Sequence, residues 1–178
     1  MRNIEFQEPK SEEDLDSYIK KIHGHLRLKE LAPALVICQH LILGETTKRS
    51  GYRERAEVWR SIKEKKLALA DLRKVTSLGS EEPADYFNLG VILFELRELN
   101  QAVESFTKAI ELGKRNDFNF YTQTSYLRRA IALLSLGFHE KALKDCEQVE
   151  DGYQCFIVGD GIVTKEDLIS RASQRRAQ

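Results

Sequence analysis

The chain has 178 residues, 42% of them hydrophobic, which is enough for one continuous core and too many for a disordered segment. Lys plus Arg number 28 and Asp plus Glu number 28, so the balance excludes a surface built to displace phosphate counterions, and nucleic acid is not an expected partner. Three prolines and ten glycines are too few for the turns of an all-β fold, which leaves helices.

The first twenty residues carry acids early and lack an apolar signal-peptide core. The most apolar stretch, Leu31 to Leu43, is interrupted by Pro33, Gln39 and His40 and is too short to span a bilayer. No membrane partner and a cytoplasmic location are expected. The three cysteines, Cys38, Cys146 and Cys155, form an odd set without a CxxC pair and read as reduced, packed thiols.

A 34-residue period organises the chain. Tyr18, Tyr52 and Tyr86 are one step apart, as are Ile22, Ala56 and Gly90, and Ala34, Ala68 and Ala102. Cys38, Leu72 and Phe106 follow, with Leu41, Val75 and Ala109. A fourth copy lies 40 residues on, at Tyr126, Ala130, Ala142, Cys146 and Val149. In chain order this predicts an N-terminal segment at 1–14, a degenerate repeat at 15–48, and repeats at 49–82 and 83–116. An inserted loop at 117–122, a repeat at 123–156, and a C-terminal extension with a capping helix at 157–178 complete it.

Each copy reads as two helices. In the third, Leu89, Ile92, Leu93 and Leu96 recur at helical spacing, then Ala102, Val103, Phe106, Ala109 and Ile110. Glu98-Leu99-Asn100 reads as the turn between them, with Asn100 as N-cap. Gly79 and Gly113 are expected as left-handed caps, and Pro33 and Pro83 suit first-turn positions. In the extension, Asp151-Gly152 and Gly159-Asp160-Gly161 are turn signals, and Thr164 opens a last helix. Leu168, Ile169 and Ala172 would pack on the last repeat, with Arg171, Arg175 and Arg176 facing water. One helix pair cannot bury its apolar face alone, whereas stacked neighbours can.

The segment Asp85 to Gly113, DYFNLGVILFELRELNQAVESFTKAIELG, resembles a tetratricopeptide repeat along its whole length. Tyr86, Leu89, Gly90, Leu93, Ala102, Phe106 and Ala109 carry the resemblance, and Tyr126, Ala130, Leu133, Gly137, Ala142 and Cys146 repeat it. Tyr52, Ala56, Trp59, Ala68 and Leu72 follow the pattern more loosely; in the first copy Ile22 and His25 depart from it. The resemblance implies an all-α, right-handed superhelix of about four helix-turn-helix repeats with a capping helix. It also implies a protein-interaction module, not an enzyme, that reads a peptide or folded partner through a concave groove lined by first helices. Arg53, Glu57, Arg60, Phe87, Asn88, Val91, Phe94, Leu127, Arg128 and Ile131 are the groove candidates, charged in the N-terminal half and apolar in the C-terminal half. That apolar half reads equally as core covered by the inserted loop or the tail. Within the loop, Phe118, Phe120 and Tyr121 either extend the next helix or form an aromatic anchor.

Narrower roles stay open: a small inhibitor, such as a bacterial immunity protein neutralising a toxin, or a chaperone-type adaptor. Adaptors of this family clamp a C-terminal carboxylate, and the corresponding residues here are Arg53, Glu57, Asn88, Thr124 and Arg128. Glu57 would repel the carboxylate and Thr124 removes a cation. No catalytic set is found: His23 and His25 are two apart, with no zinc-protease spacing, and no phosphate-loop motif is present. No metal or other cofactor is expected.

Overall fold

The protein is described by a computed structural model covering residues 9–117, 119–157 and 161–176, with Arg175 and Arg176 as backbone only. Phe118, Gly159, Asp160 and the side chains of Arg175 and Arg176, singled out above, lie outside the described residues. Two compact units divide the chain at Ser80 and Glu81.

The first unit holds α1 (Glu12–Arg27), α2 (Leu31–Leu43), α3 (Lys48–Ser61) and α4 (Lys65–Ser77). Each packs on the next, and α1 also touches α3. The second holds α5 (Pro83–Glu95), α6 (Leu99–Arg115), α7 (Asn119–Ser135) and α8 (His139–Cys146). There follow β1 (Gln154–Ile157), β2 (Gly161–Thr164) and α9 (Lys165–Arg176). Here too successive helices pack in order, α5 touches α7, and α9 lies against α8, α7 and β2. The fold is all-α apart from the one antiparallel hairpin among the described residues.

The 34-residue period is a period of burial. Ile22, Ala56, Gly90 and Ala130 are all buried, as are Ala34, Ala68, Ala102 and Ala142. The same holds for Cys38, Leu72, Phe106 and Cys146, and for Leu41, Val75, Ala109 and Val149. Small residues at two of these positions let the helices of a pair approach. A Cβ built on Gly90 would stand 2.7 Å from the Phe106 ring, closer than side chains pack.

The turn inside each pair repeats as well. Lys29, Lys63, Arg97 and Gly137 all take positive φ, at 60°, 64°, 63° and 82°. Each closes a first helix by the same two bonds: Lys29 N to Leu26 O and Glu30 N to His25 O, then Lys63 to Arg60 and Glu64 to Trp59. Arg97 to Phe94 with Glu98 to Leu93, and Gly137 to Leu134 with Phe138 to Leu133, complete the set. This is the Schellman motif, which satisfies the last carbonyls of a helix.

A polar clasp recurs in two pairs. Arg55 donates to both carboxylate oxygens of Asp71, at 2.8 and 2.7 Å, and to Gln39 Oε1 at 3.1 Å. Arg129 does the same with Asp145, at 2.8 and 2.6 Å, and with Thr107 Oγ1 at 2.8 Å. One arginine thus ties its own helix to its pair partner and to the preceding second helix. Each also lies over the tyrosine one turn back, Tyr52 or Tyr126, and Lys21 lies over Tyr18 likewise. In the third pair Leu89 and Ser105 stand at the clasp positions.

Several local expectations change. α1 starts at Glu12, inside the expected N-terminal segment, because the Ser11 side chain accepts from Asp14 N at 3.1 Å and caps it. The turn between α5 and α6 lies earlier than expected: α6 begins at Leu99, so Asn100 is inside the helix and not its N-cap. Gly79 takes the left-handed conformation, φ +74°, but Gly113 is buried within α6, which runs on to Arg115. The expected loop at 117–122 is helical from Asn119, as the first turn of α7. Two strands that the turn signals alone did not foretell follow α8: β1 at the end of the expected fourth repeat and β2 in the extension.

Candidate functional site

First helices carry the candidate residues, and the two units are described separately. On α3, Arg60 Nη1 donates to Glu57 Oε2 at 2.8 Å, with Glu57 exposed and Arg53 and Arg60 half-buried. Just behind them Glu54 is buried, and its Oε2 lies 2.9 Å from His23 Nε2 on α1. Burial raises the Glu54 carboxyl above its ordinary value, and His23 pulls it partly back.

In the second unit the candidates meet on a face shared by α5 and α7. The Phe87 ring lies 6.1 Å from Phe106 and 5.7 Å from Tyr121, with the Arg128 guanidinium over it at 5.5 Å. Phe120 stands edge-on to Tyr121 at 5.2 Å and is 63% exposed. Of the three aromatics of the expected loop, the two described ones, Phe120 and Tyr121, both lie in the first turn of α7; Tyr121 packs while Phe120 projects. Phe87, Asn88, Phe94 and Arg128 are half-buried.

Val91, Leu127 and Ile131 are buried and form the floor of this face. Leu127 and Ile131 join one core with Leu134, Ile157, Val163, Leu168 and Ala172. The chain's own tail covers them. Tyr153 and Thr124 share a hydrogen bond between their hydroxyls at 2.5 Å, and Arg128 Nη2 donates to the Phe156 carbonyl at 3.3 Å. Ile157 meets Phe94, Arg128 and Ile131 around a small pocket. Two of the five positions of the carboxylate clamp, Thr124 and Arg128, are thus engaged by the tail. Sequence reasoning missed β1 because the strand is four residues long and the apolar Phe156 sits on its exposed side, so the alternation in burial is not an alternation in hydrophobicity.

The thiols of Cys38 and Cys146 are pushed up by burial, to about 12 and about 11, which makes them packing groups and not nucleophiles at neutral pH. Among the described residues no three His, Cys, Asp or Glu come together to hold a metal ion, and no helix is long and apolar enough to cross a membrane.

Residues 83–116 match the tetratricopeptide repeat family. No curated protein matches the chain. Solved structures share the fold at low identity. A Podosopora anserina putative kinesin light chain with nearly identical TPR-like repeats is 14% identical, covering 96% of this chain and 90% of that one, with a TM-score of 0.68. MamA of Desulfovibrio magneticus RS-1 is 16% identical over 77% and 74%, with a TM-score of 0.60. YrrB, a TPR protein with an unusual peptide-binding site, is 19% identical over 73% of this chain and 64% of its own, with a TM-score of 0.61.

Proposed function

We propose that this chain, which carries a tetratricopeptide repeat and the fold of that family's proteins, is a non-catalytic module that holds a peptide or protein partner. The observation that carries the reading is the aromatic face of α5 and α7. Phe87 and Tyr121 are half-buried, Phe120 projects beside them, and the Arg128 guanidinium lies on the Phe87 ring. Large rigid rings with a neighbouring cation are the side chains that dominate binding energy at protein interfaces. Asn88 borders this face on α5; in the first unit, Arg53, Glu57 and Arg60 form a separate charged group on α3. YrrB's described peptide site supports a peptide as one form of partner. The two packed, unpaired thiols Cys38 and Cys146 suit a reducing compartment and support a cytoplasmic location.

Site-specific photo-crosslinking tests the reading. A benzophenone amino acid at position 120 or 88 is expected to capture the partner, whereas the same group at Lys108, exposed on α6, captures none. Phe87→Asp should abolish capture with the helix signal intact. Crosslinks that form only from second-helix positions would overturn the assignment.

A further inference from the structure

β1 lies where a partner's chain was expected. From Tyr153 to Ile157 its contacts climb α7 in step: Tyr153 on Thr124, the Phe156 carbonyl on Arg128, and Ile157 against Ile131 and Phe94. Thr124, Arg128 and Ile131 fall at i, i+4 and i+7, which is one stripe of the helix. Of these contacts, the one to Arg128 needs only a backbone carbonyl, and the one to Ile131 and Phe94 needs only an aliphatic side chain. An extended chain of another protein can supply both.

The segment is fastened at its ends by separate bonds. Glu150 N donates to Gln123 Oε1 at 2.9 Å, and Asn119 Nδ2 donates to the Glu150 carboxylate at 2.9 Å. Lys165 Nζ donates to the Val149 carbonyl at 3.0 Å and pairs with Asp151. Thr164 and Asp167 cap the start of α9 reciprocally. Leu168 and Ala172 are wholly buried, and α9 lies against α8 and α7 as well as β2, so it has anchorage beyond the hairpin. Between these pins stands a two-stranded hairpin, an element of marginal stability by itself. Its outward pair, Phe156 and Ile162, is 68% and 65% exposed and adds no packing.

We propose that Phe94, Thr124, Arg128 and Ile131 form a seat for an extended polypeptide, that β1 is its built-in occupant, and that a partner segment takes the seat by displacing β1. The partner presents a backbone carbonyl to Arg128 and an aliphatic side chain to Phe94 and Ile131. The rings of Phe120 and Phe87 on the same two helices give it a first foothold. This rests on the interaction reading above and names the chemistry of its ligand.

Cys155 reports the exchange. It lies on the inward face of β1, paired with Val163 and half-buried, while Cys146 is buried in α8. In the full chain, thiol labelling located by mass spectrometry should mark Cys155 first. Arg128→Ala removes the hold on the Phe156 carbonyl and the cation over Phe87 but no core side chain, and should speed Cys155 labelling about tenfold while leaving Cys146 slow. The probe is the synthetic heptapeptide Asp-Gly-Tyr-Gln-Ser-Phe-Ile, β1's own approach with serine for cysteine. Added to Arg128-intact Ile157→Ala protein, it should shift the amide resonances of Phe94 and of Thr124 to Ile131, and raise Cys155 labelling with its concentration. Cys155 and Cys146 rising together in Arg128→Ala would overturn the proposal, because the whole unit would then be opening. So would a peptide that leaves the α7 resonances in place. A partner captured through position 120 that leaves Cys155 labelling unchanged would overturn the exchange and keep the interaction reading.

Discussion

Three of the four residues that close a first helix in the left-handed conformation carry side chains: Lys29, Lys63 and Arg97. An L-residue there is strained by about 1–2 kcal/mol relative to glycine, which the fourth copy uses at Gly137. Part of that gain is offset by the greater freedom of glycine in the unfolded chain. Arg97→Gly is therefore expected to stabilise by roughly 0.5–1 kcal/mol, and Gly137→Ala to destabilise by about 1 kcal/mol. Thermal melts of the two variants check both signs at once. Gly90 is constrained differently, by space. With the Phe106 ring only 2.7 Å from the place a Cβ would take, even alanine forces the ring aside, and Gly90→Leu should lose about 3 kcal/mol or more. A Gly90→Leu protein melting with the parent would contradict the packing of α5 on α6.

At the scale of elements, the clasp of Arg129 and Asp145 separates two effects that a single substitution confuses. Both groups are largely buried, with side-chain exposures of 19% and 6%. Asp145→Leu alone leaves a desolvated guanidinium and should cost about 3 kcal/mol. The pair Arg129→Leu with Asp145→Ser copies what the third repeat has at Leu89 and Ser105, and should recover most of that loss in urea denaturation. The clasp was hidden in the sequence. Its arginine and aspartate are 16 residues apart in two copies and absent from the third, so a search for a shared signature passes over them. The α1–α3 contact offers a pH test. Burial raises Glu54's carboxyl above 4.5, so the folded state holds this proton more tightly than the unfolded state. The stability so contributed is present below that ordinary value and is lost as pH rises through the folded one. Glu54→Gln keeps an oxygen to accept from His23 Nε2–H, and it lacks the buried charge. Its stability relative to the parent should therefore improve between about pH 4 and pH 7, and an equal gap at both values would refute the burial argument.

For the whole molecule, the period was legible because burial and backbone geometry repeat with the letters, by 34 residues twice and then by 40, even where the letters change. Phe106 and Cys146 differ in size and chemistry, yet occupy one position and are both buried. The site was less legible, since a stripe such as Leu127 and Ile131 reads the same whether a partner or the chain's own tail covers it. In the structure β1 lies over this stripe, and its outward Phe156 is apolar, which hides the strand's alternation in the letters. A stack of helix pairs also leaves an apolar edge at its last member, and here α9 closes it. Leu168 and Ala172 reach the core that holds Ala142, Cys146 and Val149 of the last pair. Leu168→Ala removes a wholly buried side chain and should cost about 2–5 kcal/mol, read as a lower denaturation midpoint. Because the loss falls at an end, amide exchange should quicken most in α8 and α9 and least in α5, each pair being held chiefly by its neighbours. Uniform quickening across α5 to α9 would instead mean that the second unit opens only as a whole, with α9 as an integral part of its core.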